Sequence, residues 1–126
     1  MRAVDTNVLV RLIARDDRKQ VESAQEFVSK GAWVSHLVLA ETSWVLDSVF
    51  DLGADQIAIA VDMLLNHEHL SIQESDVVAA ALENFREHRA VSFSDALIVE
   101  IARKWGHVPI GTFDRDMAKI EGTQRL

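Results

Sequence analysis

The sequence predicts an α/β domain with a three-layer, Rossmann-like arrangement, a mainly parallel sheet of four or five strands flanked by helices. Two observations carry that reading. Short apolar runs of strand length alternate along the chain with longer segments whose apolar residues recur at helical spacing. The first such run, Arg2-Ala3-Val4, stops abruptly at Asp5 and a helix begins almost at once, the strand-to-helix corner that opens onto the ligand crevice of a parallel sheet. With 126 residues, 48% of them hydrophobic and 26% charged, residues 1–126 are expected to form a single domain. Such a chain has material for a core and a solvated exterior.

The elements follow in order. Val8, Leu9, Leu12 and Ile13 share one helical face, and Thr6 or Asn7 is the expected N-cap. Arg15-Asp16-Asp17-Arg18 is a polar connector. Val21, Ala24, Phe27 and Val28 repeat at helical spacing up to Gly31, and Ala32-Trp33-Val34-Ser35 suits a buried strand. A long helix is expected from about His36 to Phe50, ended by Asp51-Leu52-Gly53, and a fourth from Ala54 to Asn66. Leu70-Ser71-Ile72 reads as another brief strand, and Glu74-Ser75-Asp76 as the cap of a helix reaching His88. Ser94 is the expected start of a helix that ends at Gly106. The next strand is Val108 to Thr112, kept short or near an edge by Pro109, and a final short helix is expected near Arg115.

Composition excludes several classes. No apolar run approaches the ~18 residues of a membrane span, and the N-terminus lacks a signal-peptide pattern. Zero cysteines rule out disulfides and thiolate metal sites and fit a reducing cytoplasm. The expectation is a cytoplasmic protein with no membrane partner. A net charge of −7 argues against a polyanionic partner unless acids gather around divalent cations, which inverts the local charge logic.

Most of the acidic residues have ordinary explanations, but a few stand in unusual places. Asp5 ends the first strand, where it reads either as a turn or capping residue or as a site acid. Glu41 has Leu37, Val38, Trp44 and Val45 at helical contact distance, which places it on a stripe expected to face the core, where an unpaired charge is costly. Asp95 lies in the first turn of its helix above Ile98, Val99 and Ala102; the alternative there is a favourable interaction with the helix dipole. Asp114 closes its strand as Asp5 does, and Asp116 follows two residues later. In a doubly wound sheet such places converge at the carboxyl edge. Two unit charges ~5 Å apart repel by about 3 kcal/mol at an effective dielectric near 20, so such a group calls for protons or cations. All-oxygen ligation selects Mg²⁺ or Mn²⁺, and the natural chemistry is metal-assisted displacement at phosphorus.

Asp5-Thr6-Asn7, Glu41 on an apolar helix, Ser94-Asp95-Ala96-Leu97 and Thr112-Phe113-Asp114, in that order and at those separations, resemble the PIN-domain ribonucleases. The likeness runs from residue 2 to about residue 120, and the short chain is most similar to VapC-type toxins of toxin–antitoxin pairs. The resemblance implies Mg²⁺- or Mn²⁺-dependent cleavage of RNA that leaves a 5′-phosphate. It also implies a homodimer and a small antitoxin that lies over the first helices and occludes the site. It makes Asp5, Glu41, Asp95 and Asp114 the catalytic acids, with Asp5, Asp95, Asp114 and Asp116 as metal ligands. Asn7 and Thr112 become the groups that orient them.

Cations suited to RNA phosphates are Arg11 and Arg15 on the first helix, Arg86 and Arg89 before the Asp95 helix, and Arg115 between the last two acids, of which Arg115 is the preferred candidate. A homodimer also suits the surplus of apolar positions at Leu39, Leu46, Val49, Phe50, Ile57 and Ile59 on the third and fourth helices. His67-Glu68-His69 has ligand-like spacing but reads first as a solvated turn. A haloacid-dehalogenase-type phosphatase would want an aspartate where Asn7 stands, and a receiver domain an acidic pair at the first strand end. The remaining alternatives are a non-toxin PIN nuclease in RNA processing and a metal-binding interaction module without catalysis.

Overall fold

A computed structural model describes all 126 residues. Its elements run β1 (Arg2–Ala3), α1 (Thr6–Ala14), α2 (Arg18–Val28), β2 (Ala32–Val34), α3 (His36–Ser48), α4 (Ala54–Leu65), β3 (Leu70–Ile72), α5 (Ser75–Glu87), α6 (Phe93–Lys104), β4 (Ile110–Thr112) and β5 (Thr123–Arg125). A 3₁₀ turn at Met117–Lys119 stands where a last helix was expected near Arg115. The chain gathers into two compact units, residues 1–75 and 76–126.

In the first unit the strands pair in parallel in the order β1-β2-β3, with Ala3 opposite Trp33 and Trp33 opposite Ser71. Parallel neighbours need a crossover, and two helices supply each one: α1 and α2, then α3 and α4. All three strands therefore end at the same sheet edge, where Asp5, Ser35 and Gln73 follow them. Gln73 ties that edge together, because its N–H donates to Val34 O at 2.9 Å while its Oε1 accepts from His36 N at 2.9 Å.

The core of this unit is built from Leu9, Val28, Ala32, Val34, Leu39 and Leu46, all close to fully buried. α3 departs from expectation here. Its buried face is His36, Leu39, Thr42, Ser43 and Leu46, not the Leu37–Val38–Trp44–Val45 stripe, and Leu37 and Trp44 are 76% and 64% exposed. Thr42 and Ser43 can lie inside because their hydroxyls donate back to Val38 O and Ala40 O at 2.7 Å, so neither hydroxyl is left unpaired, whereas the buried His36 Nε2 has no partner. Of the six residues expected to form a surplus apolar face, Leu39, Leu46 and Ile57 belong to the core, Phe50 is half-buried, and Val49 and Ile59 are exposed.

In the second unit α5 and α6 bury Phe85 and Phe93, whose rings meet edge-to-face at 5.9 Å. Glu100 is buried on α6 and accepts from Asn84 Nδ2 at 2.6 Å and Arg103 Nε at 3.3 Å. β4 begins directly after Pro109 and pairs in parallel with β5, Ile110 opposite Thr123. The chain is thus α/β with only parallel pairing. Its five strands are ordered as a set of three and a set of two, not as one ladder.

Candidate active site

The first unit carries Asp5, Asn7 and Glu41. Asp5 is itself the N-cap of α1, in place of Thr6 or Asn7: its backbone is still extended and its Oδ1 accepts from Val8 N at 3.4 Å. An N-cap of this kind satisfies one of the free N–H groups of the first turn, and it uses only one carboxylate oxygen. Thr6 is buried, and Asn7 is exposed one residue further on. Glu41 is exposed too, between Leu37 and Trp44 on the solvent side of α3. The premise that it is a charge forced into the core therefore fails.

The second unit carries Asp95, Thr112, Asp114, Arg115 and Asp116. Ser92, not Ser94, caps α6, its Oγ accepting from Asp95 N at 3.1 Å. Asp95 is half-buried, with Val99 buried one turn on and Ile98 half exposed. Asp114 is exposed but firmly held. Its N–H donates to Thr112 Oγ1 at 3.0 Å, and its Oδ1 accepts from Asp116 N at 2.8 Å and Met117 N at 3.0 Å. That arrangement is an Asx turn that starts the 3₁₀ segment. Asp116 is half-buried and pairs with Lys119 at 3.5 Å; Arg115 between the two acids is exposed.

Carboxylate oxygens are the donors that hard divalent cations prefer, so the residue types suit Mg²⁺ or Mn²⁺. Neither unit by itself gathers three or more Asp, Glu or His side chains in an arrangement that could hold a metal ion. His67-Glu68-His69 is a turn leading into β3. His67 Nδ1 accepts from His69 N at 3.1 Å, which places the ring proton on Nε2 in the neutral imidazole and leaves that nitrogen a donor. Glu68 pairs with His69 Nε2 at 3.1 Å.

One buried acid escaped the sequence reading. Glu100 falls at the helical spacing of Phe93, Ala96 and Leu97 on the buried face of α6, with Arg103 one turn ahead, and that spacing was the available signal. Its partners Asn84 and Arg103 make it part of the scaffold under α6.

The class defined so far is an α/β protein of parallel strands whose aspartates stand at strand ends and in first helical turns. Residues 2–122 match the family described as PIN domain. The chain therefore belongs to the PIN-domain family, a nuclease fold family that is generally metal-dependent. No curated protein and no solved structure matches it.

Proposed function

We propose that this PIN-domain protein is an endoribonuclease dependent on Mg²⁺ or Mn²⁺, acting as the toxin of a toxin–antitoxin pair. The observation that carries the nuclease reading is the family match itself, which spans residues 2–122 and so includes every acid singled out above. The cation would be held by Asp5, Asp95, Asp114 and Asp116, with Glu41 completing the catalytic acids. Once bound it would neutralise charge at the scissile phosphate and activate water.

The chain's own residues have definite tasks in this scheme. Asp5 and Asp114 each engage only Oδ1 with backbone, so the second oxygen of each is available to a ligand. Thr112 positions Asp114 through the 3.0 Å hydrogen bond, and Asn7, two residues after Asp5, would orient what binds there. Arg115, exposed between two acids, would meet the RNA backbone. The exposed Leu37, Trp44, Val49 and Ile59 offer apolar surface for a second copy of the chain, and a cognate antitoxin would restrain activity by covering the acids.

Purified protein incubated with total cellular RNA should create new 5′ ends in Mn²⁺ or Mg²⁺ and none in EDTA. Unchanged cutting in chelator would sink the metal assignment. Overexpression of the chain alone should slow growth, whereas Asp95→Asn should not; equal toxicity of the two would remove the toxin reading and leave the nuclease one to the RNA assay.

A further inference from the structure

The first unit contains a cavity of about 460 Å³ between α1 and α2, within the ~300–1,000 Å³ range of small-molecule sites. Val8 and Phe27 give it apolar walls, and Asn7, Arg11, Gln20 and Ser23 stand around it. The Phe27 ring is steadied by Arg2, whose guanidinium carbon lies 3.8 Å from the ring centroid and whose Nη2 donates to Phe27 O at 3.3 Å. Asn7 begins this cavity two residues after Asp5, on the same first turn of α1.

The polar groups are already oriented. Arg11 Nε donates to Gln20 Oε1, and Arg11 Nη1 donates to Asp16 Oδ1 at 2.8 Å. With its oxygen occupied, the Gln20 amide has its NH₂ group left to offer, and Arg11 has only donors. The lining therefore combines hydrogen-bond donors on two neighbouring side chains with an aromatic side chain. Unpaired bases of RNA are recognised by stacking on aromatic and guanidinium planes together with hydrogen bonds to their edges.

We propose that this cavity is a base-recognition pocket for single-stranded RNA, taking a base whose exocyclic C6 or C4 group is a carbonyl acceptor, guanine or uracil, in preference to adenine or cytosine, which carry an amino donor there. Guanine offers O6 and N7 and uracil O4, whereas adenine and cytosine carry amino donors on the corresponding edges. The proposal rests on the nuclease reading and adds the means by which a strand would be placed in register with Asp5.

Gln20→Glu is the discriminating variant. It keeps an oxygen for Arg11 and replaces the remaining NH₂ donor by an acceptor. In the full chain, millimolar GMP or UMP should shift the side-chain amide NMR resonances of Asn7 and Gln20 and the backbone signal of Ser23. AMP, CMP and inorganic phosphate should not. In cleavage mapped by sequencing, wild type should show guanine or uracil enriched at one fixed offset from the cut. Gln20→Glu, checked for intact helix content by circular dichroism, should move that preference at least fivefold toward adenine or cytosine.

Equal shifts with all four nucleotides, shifts with phosphate alone, or no shifts would overturn the pocket. So would an unaltered base preference in a Gln20→Glu protein that still cuts. If no RNA is cut under any metal condition the nuclease reading falls, and the nucleotide titration still decides the pocket.

Discussion

Asp5 and Asp114 occupy equivalent places in the two units, each just past a strand and each accepting backbone N–H groups with Oδ1. Their grips differ. Asp5 makes one hydrogen bond of 3.4 Å, at the weak limit of such contacts. Asp114 accepts two, at 2.8 and 3.0 Å, and its own N–H is held by Thr112. Local structure thus accounts well for an aspartate at 114 and poorly for one at 5. Under the proposed function, the less firmly held carboxylate at 5 is the position at which that proposal is best tested.

The largest effect should come from separating charge from capping. Asparagine caps a helix about as well as aspartate, so Asp5→Asn should melt in EDTA at or above the wild-type temperature while cleavage falls to background. Its gain from Mn²⁺ should shrink from the about 2.7 kcal/mol expected at a hundredfold excess over Kd. A destabilised but fully active Asp5→Asn protein would break the comparison by making Asp5 purely a cap.

Glu100 shows what a wholly structural carboxylate is worth. Asn84→Ala removes the 2.6 Å donor from that buried group and should destabilise the protein by about 1–3 kcal/mol in urea unfolding, with cleavage per folded molecule retained. A stability change near zero would mean that Glu100 is not held as described.

Replacing each strand-end aspartate by alanine sharpens the contrast. Removal of a capping side chain costs about 0.5–2 kcal/mol; Asp114→Ala should fall at the upper end and Asp5→Ala at the lower. Equal losses would erase the difference in grip.

The smallest effect belongs to Asp76, an exposed acid paired with Lys104 at 3.0 Å. The Lys104 hydrogen bond, followed by its charge, holds the Asp76 carboxyl below its ordinary value of 3.8. A depressed native pKa stabilises the fold above the unfolded value and is lost as pH falls through the native one. Asp76→Asn should therefore lower stability slightly at neutral pH, flatten the acid limb, and converge with wild type as pH falls below about 4. A wild-type-like acid limb would show the pair to be energetically silent, as many exposed pairs are.

Much of the fold was legible because its boundaries carry local chemistry. Asp17 and Ser35 cap α2 and α3 through their side chains, and the short apolar strands β2 and β3 lie between clear helical periods. The cap of α6 was misplaced by two residues because Ser92 and Ser94 bracket Phe93, and both hydroxyls lie at the helix start, 3.1 Å apart. β5, Thr123-Gln124-Arg125, has no apolar residue and is fixed by pairing with β4, which no local pattern announces. Glu41 was placed on the wrong face because α3 has apolar residues on both sides. Its core face uses Thr42 and Ser43, hydroxyls that bond to their own helix and pack as though apolar. The acids could be named from the sequence; the depth at which each lies depends on packing that the periodicity of one helix does not contain.

The placement of the indoles has a spectroscopic consequence. Trp33, Trp44 and Trp105 are 39%, 64% and 61% exposed, and the chain has no tyrosine. Native emission therefore comes from indoles already in contact with water, so unfolding will barely move its maximum, and helical circular dichroism is the better monitor of melting. The same exposure makes fluorescence informative about assembly. If a second copy of the chain covers Trp44, its indole leaves water and the emission moves to shorter wavelength as concentration rises, which turns a poor reporter of folding into a direct reporter of association.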